Sequence, residues 1–171
     1  METLWNIQNL DTKQVKQLAE ELGVNEIVAH LLVLRGITNY EDAKKFFRPQ
    51  ISHLHNPFLM KGMQDAVDRI ELALKKGEKI LIYGDYDVDG TTSVSMMFCF
   101  LSRFTDKIGY YIPDRYDEGY GISFKGIDFA QTEEYSLIIA LDCGIRAVKQ
   151  IEYASVKEID FIICDHHTPG V

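Results

Sequence analysis

From Lys79 onward, short apolar runs alternate with longer segments of helical periodicity. Lys79–Tyr83 is followed by a helix-like stretch from Gly90 to Arg103, and Lys107–Ile112 by one from Ser123 to Gln131. Leu137–Leu141 is followed by Ile145–Ala154, and Asp160–Cys164 ends the series. Strands alternating with helices in this way predict a parallel sheet joined by crossover helices. Leu137–Leu141 and Phe161–Cys164 are apolar throughout, as strands covered on both faces should be. The expected fold class is therefore α/β.

Before Lys79 the pattern is helical. Asp11 or Thr12 can cap a helix through Leu22, with Val15, Leu18, Ala19 and Leu22 on one face and Gly23 as its stop. Asn25 can cap a second helix that ends before Gly36. Thr38 and Glu41 have capping-box spacing for a third, which stops at Arg48-Pro49. Gln50–Gly62 reads as a loop containing His53 and His55, a spacing that suits two surface histidines better than a metal site. Met63–Lys75 has Ala66, Val67, Ile70, Ala73 and Leu74 on its apolar side. The predicted organisation is an all-helical N-terminal region over 1–76 and an α/β domain over 77–171.

The polar residues converge on one edge of the predicted sheet. In open parallel sheets, ligands bind beyond the carboxyl ends of the strands. The first strand there is followed by Asp85, Asp87 and Asp89, and the third by Asp142. The fourth is followed by Asp165, His166 and His167. The second ends in Pro113-Asp114-Arg115, whose arginine can meet a phosphate. Carboxylates crowded this way repel, and a divalent cation is the usual compensation. Carboxylate with imidazole suits Mn²⁺, Mg²⁺ or Zn²⁺, and the imidazole favours Mn²⁺ over Mg²⁺. There are enough ligands for two ions, an arrangement that activates water for in-line phosphoryl displacement.

Plainer readings stay open at this point. The aspartate run can be a helix cap, as can Asp142, and the two histidines can be a hydrogen-bonded turn. Arg146 can face the site or solvent. Asp85-x-Asp87-x-Asp89-Gly90 also matches the start of a calcium-binding EF-hand loop. That loop needs Glu at its twelfth position, which is Met96 here, and a preceding helix where a strand is predicted. Asp87-Val88-Asp89-Gly90-Thr91 resembles the motif of haloacid-dehalogenase-type phosphatases, in which Asp87 would be a covalent nucleophile. That family leaves Asp165-His166-His167 unexplained.

Composition narrows the function classes. The 171 residues are 46% hydrophobic and 26% charged, enough for a normal core. The net charge is −8 with no basic run longer than two residues, which argues against a domain that simply coats nucleic acid. Cys99, Cys143 and Cys164 form no CxxC pair, and Cys143 and Cys164 read as small buried fillers. With no signal peptide and no apolar run long enough for a membrane span, a reduced cytoplasmic location is expected.

GDYDVDGTTS, LDCGI and CDHHTPG resemble the first three motifs of the DHH phosphoesterase superfamily. Tyr111–Gly121, LRGITNYEDAKKFF and LHNPFLMKGMQDAVDRI resemble segments of its RecJ branch, so the likeness covers nearly the whole chain. It implies a metal-dependent exonuclease that degrades single-stranded DNA from the 5′ end in DNA repair and recombination. Water activated by the ion would attack in line, without a covalent intermediate. The resemblance implies Asp85, Asp87, Asp89, Asp142, His166 and His167 as the catalytic set. Within it, Asp87, Asp89, Asp142 and His166 would bind Mn²⁺ or Mg²⁺, with Asp85 in or beside the ligand set. His167 would touch the substrate phosphate or support the metal site; Arg115 is a candidate for the same phosphate from its place after the second strand. A repair helicase or single-strand-binding protein is an expected partner. Arg146 and Ala147 stand where the family usually has Thr-Ser, and Cys164 where Thr is common.

The family's fourth motif, which supplies a further aspartate, is not in the chain. The resemblance therefore implies an N-terminal fragment that would be nearly inactive alone and hold single-stranded DNA weakly. A non-catalytic DHH-like scaffold is the alternative from another class.

Overall fold

The computed structural model describes residues 11–170, so the helical expectation for 1–10 lies outside the described residues. The chain divides into two compact units between Leu59 and Met60.

The first unit holds α1 (Thr12–Leu22), α2 (Glu26–Leu34) and α3 (Tyr40–Phe47). Asp11 and Asn25 cap the first two helices, as their sequence positions predict. The third is capped by Asn39 rather than Thr38. Asn39 accepts from Asp42 N at 2.9 Å and donates to the Asp42 carboxylate at 2.7 Å, a reciprocal pair one residue later than expected. Leu18, Ala29 and Leu32 form the core of this unit. The following loop contains two single 3-10 turns, Ile51–His53 and Pro57–Leu59. His53 Nδ1 accepts from Gln50 N, and neither His53 nor His55 joins a metal-ligating cluster among the described residues.

The second unit runs α4 (Met63–Lys76), β1 (Ile80–Gly84), α5 (Val88–Leu101), β2 (Ile108–Tyr111), α6 (Phe124–Thr132), β3 (Leu137–Leu141), α7 (Val148–Val156), β4 (Asp160–Cys164). The four strands are all parallel in the order β2-β1-β3-β4. Helices α4 and α5 cover one face, packing Ala73, Val94 and Leu101 on Ile80, Ile82 and Ile139. Helices α6 and α7 cover the other, packing Ile127, Ala130 and Ala154 on Leu81, Tyr83 and Ile138. Every residue of β1 and β3 is buried, which explains their unbroken apolar runs. Each of these large side chains contributes about 1.5–3 kcal/mol relative to exposure.

The expected domain boundary at 76/77 differs from the division between the units. Helix α4 belongs with the sheet, because Ala66, Ile70, Ala73 and Leu74 pack against it. Cys143 is buried, but Cys164 is exposed at the end of the edge strand β4, against expectation. Helix α7 starts at Val148, later than the expected Ile145, and its N-cap is Ala147. Asp142 is therefore not its cap. No helix among the described residues is long and apolar enough to cross a membrane.

Arg69 on α4 ties the amino-terminal ends of the strands together. It donates to Glu78 and to Asp160, both at 2.7 Å, and Glu78 also accepts from Ser136 Oγ at 3.0 Å. Burial pushes the Glu78 carboxyl up, but Arg69 and Ser136 outweigh it and hold it below its ordinary value. A carboxyl with a lowered folded pKa adds stability that is complete above its unfolded value, about 4.3. That stability fades as pH falls through the folded value. Arg69→Met is expected to cost about 1–3 kcal/mol at neutral pH. The gap between variant and wild type should narrow below about pH 4.3. Urea titrations across pH measure it; a gap independent of pH would contradict the assignment.

Candidate metal centre

Strand β1 delivers Asp85 to the carboxyl edge of the sheet fully buried. Its Oδ1 accepts from Tyr86 N at 2.8 Å, while Oδ2 is buried with no hydrogen-bond partner among the described residues. Burial raises the Asp85 pKa most, the Tyr86 N–H lowers it, Asp87 raises it, and the Tyr120 hydroxyl and Gly121 N–H, close by but making no well-formed hydrogen bond to Oδ2, lower it; the net shift is upward. A buried carboxylate oxygen without a donor is costly. A cation would satisfy it.

Asp87 and Asp89 are placed by α5, not by a loop. Asp87 is the N-cap and its Oδ1 accepts from Gly90 N at 2.9 Å. Asp89 lies in the first helical turn, and both residues are exposed. The two glycines of the motif allow this packing. A Cβ on Gly90 would lie 2.3 Å from the Asp85 carbonyl oxygen, and one on Gly84 would lie 2.4 Å from Val94 Cγ2. Helix α5 can approach the end of β1 only because both are absent.

Asp142 follows β3 with φ 59°, a left-handed conformation uncommon for a residue other than glycine. Its N–H donates to Cys164 O at 2.8 Å, which fixes the end of β3 beside the end of β4. Beyond β4, His166 Nε2 lies 3.1 Å from Asp142 Oδ1. Asp142, His166 and His167 each offer a ligand atom within 4.8 Å of the others. One carboxylate and two imidazoles suit a borderline divalent ion.

Asp165, a ligand candidate by position, is instead the support beneath this cluster. Its Oδ1 accepts from His167 N at 3.0 Å and from His167 Nδ1 at 2.7 Å, and its Oδ2 from Ile145 N at 2.9 Å. Burial pushes its pKa up, but these donors outweigh it and hold the carboxylate low. The same bond raises the His167 pKa. With Nδ1–H committed to Asp165, His167 presents Nε2, the arrangement by which carboxylates orient metal-binding histidines.

Tyr120 was not legible as a site residue. Its hydroxyl lies 3.5 Å from His167 Nε2, and burial together with Asp85, Asp87 and Asp142 pushes its pKa up to about 12. It therefore stays a neutral donor. A partly buried network holds its segment: Glu118 accepts from Tyr111 Oη, Asp114 N and Ser123 Oγ, and Tyr83 Oη donates to Gly121 O at 3.0 Å. Arg115 stacks over Tyr86, 5.3 Å from the ring centroid, at the rim of the site. The structure thus unites Asp142, His166 and His167 and sets Asp85 and Asp87 near them. Asp89 and Arg115 lie outside that cluster. Cys143, pushed up to about 12 by burial and the nearby carboxylates, is unreactive.

Residues 79–171 match the DHH family, N-terminal domain. The chain belongs to the DHH family. The single-stranded-DNA-specific exonuclease RecJ of Bacillus subtilis is 44% identical over 166 residues, covering 97% of this chain and 21% of that protein. The Escherichia coli RecJ is 34% identical over 112 residues, covering 65% of this chain and 19% of its own length. A crystal structure of RecJ bound to manganese superposes with a TM-score of 0.61 at 32% identity, covering 66% of this chain and 29% of that one. RecJ from Thermus thermophilus, in complex with Mn²⁺, shares the fold, with a TM-score of 0.65 at 24% identity over 96% of this chain and 22% of that one. The chain spans about a fifth of the length of the curated relatives it matches. In the DHH fold seen here, β1 and β3 are adjacent and their connections diverge, so the acidic residues flank the switch point where open sheets bind ligands.

Gly90→Ala is expected to push α5 away from the Asp85 backbone and cost about 1–3 kcal/mol, as overpacking does. Urea denaturation measures the loss. Wild-type stability in the variant would mean that the close approach is not a constraint.

Proposed function

We propose that this chain forms the metal-binding part of the active site of a nuclease that hydrolyses phosphodiester bonds in single-stranded DNA. The observation that carries the reading is the Asp142–His166–His167 cluster beside buried Asp85, whose Oδ2 lacks a partner among the described residues. Asp142, His166 and Asp85 hold an ion, with Asp87 and Asp89 offering oxygens from the N-cap and first turn of α5. The donor set favours Mn²⁺ over Mg²⁺, and the manganese-bound RecJ neighbour supports that choice. The carboxylate count suits two ions. Such ions supply Lewis-acid activation of water and offset charge on the phosphodiester oxygens. Asp165 holds His167 through Nδ1, so its Nε2 faces the site shared by ion and phosphate. Arg115, braced on Tyr86, meets the same phosphate from the rim. The reading extends to degradation from the 5′ end, a role in DNA repair and recombination and a helicase or single-strand-binding partner, which the resemblance to the RecJ branch implies, and to a cytoplasmic location.

A phosphatase with Asp87 as nucleophile is disfavoured. Asp87 caps α5 through Oδ1, and Asp85, not Asp87, directly follows the strand. A trapped phosphoryl-aspartate at Asp87 would overturn the nuclease reading.

Titration calorimetry on the 171-residue chain is expected to show Mn²⁺ affinity falling roughly tenfold or more in Asp142→Ala. Equal affinity would remove Asp142 from the site. In the full-length protein that carries this chain, the same variant is expected to slow Mn²⁺-dependent nucleotide release from 5′-labelled single-stranded DNA about 100-fold or more.

A further inference from the structure

Beside the metal-binding cluster, on the α6–α7 side of the sheet, lies a cavity of about 310 Å³. It falls within the range of small-molecule sites, roughly 300–1,000 Å³. The Tyr120–Ile122 segment forms one wall and the Ile145–Ala147 turn another. His167 and Asp165 close the end nearest the cluster, so the cavity shares His167 with the site already described. Arg146 and Gln150 supply its remaining polar groups.

We propose that this cavity holds the nucleobase of a nucleotide whose phosphate sits at Asp142, His166 and His167. The proposal rests on the nuclease reading and names which part of the substrate enters. Four observations favour a base over a second phosphate. The walls are mostly apolar, with the side chains of Ile122, Ile145 and Ala147, and the Tyr120 ring offers a stacking surface. The Gln150 amide makes no hydrogen bond among the described residues, and it carries both a donor and an acceptor, matching a base edge. Asp165 closes the inner end with both oxygens already accepting from His167 and Ile145 N, so that end offers a phosphate no free donor. Arg146 already donates Nε to Thr168 O at 2.7 Å, pinning the loop that carries both histidines.

The test uses ¹⁵N-labelled chain and four probes: deoxyadenosine, dAMP, deoxyribose 5-phosphate and inorganic phosphate, each with and without Mn²⁺. Deoxyadenosine is expected to shift the Ile145, Ala147 and Gln150 amide signals even without the ion. With Mn²⁺, calorimetry should give dAMP about tenfold or greater preference over deoxyribose 5-phosphate, the scale of one base stacked on an aromatic ring. Ala147→Phe fills the cavity and Gln150→Ala removes the edge reader. Each should reduce that preference while Mn²⁺ affinity stays at the wild-type value. Equal affinity for dAMP and deoxyribose 5-phosphate, or unchanged preference in both variants, overturns the base pocket. Inorganic phosphate shifting the same amides would make it a phosphate site instead. Loss of Mn²⁺ binding by the wild type would sink the nuclease reading, while the deoxyadenosine shifts would still decide the pocket.

Discussion

Carboxylates crowded at one end of a dry sheet repel one another, and most of the architecture around them answers that repulsion. Asp85 is fully buried, with one oxygen unpaired among the described residues, and Asp87 lies near enough to raise its pKa. Nothing in β1 or β3 dilutes that charge, because both strands are apolar and closed to water along their length. Such an arrangement is unfavourable unless compensated. The chain supplies part of the compensation through backbone donors: Tyr86 N to Asp85, Gly90 N to Asp87, and Ile145 N and His167 N to Asp165. The unpaired oxygen of Asp85 remains for a cation.

Those backbone donors are available only because helix and strand meet closely. Gly84 and Gly90 bring α5 against the end of β1, so the amide of Gly90 faces Asp87. On the other side of the switch point, Asp142 takes a left-handed conformation and donates its N–H to Cys164 O. The third-motif loop is then held twice to the turn after β3, through Asp165 and through Arg146. Imidazoles on an exposed loop would otherwise be mobile; here their directions are set by buried or backbone partners.

Much of this was legible in the chain. The four strands and their crossover helices followed from periodicity, and the convergence of aspartates and histidines followed from parallel topology. Local capping was harder. Asn39 displaced Thr38 because its amide can both accept from and donate to Asp42. The start of α7 slipped because Asp142–Ala147 forms a turn that no hydrophobic period records. Tyr120 and the Glu118–Ser123 network stayed hidden because their partners are distant in sequence and depend on how a loop folds back over the sheet. Asp165 looked like a ligand by position, and only its three accepted hydrogen bonds reveal a supporting role.

The Arg69 clamp lies at the opposite end of the strands from the acidic site. Foundation and workshop are thus separated by the length of a strand. Selection can strengthen or relax the anchor among α4, Glu78 and Asp160 without touching a residue that meets ion or substrate. The same separation gives an engineer a place to raise thermal tolerance while leaving the chemistry alone, and it lets the carboxylate end carry electrostatic strain that a smaller scaffold would not survive.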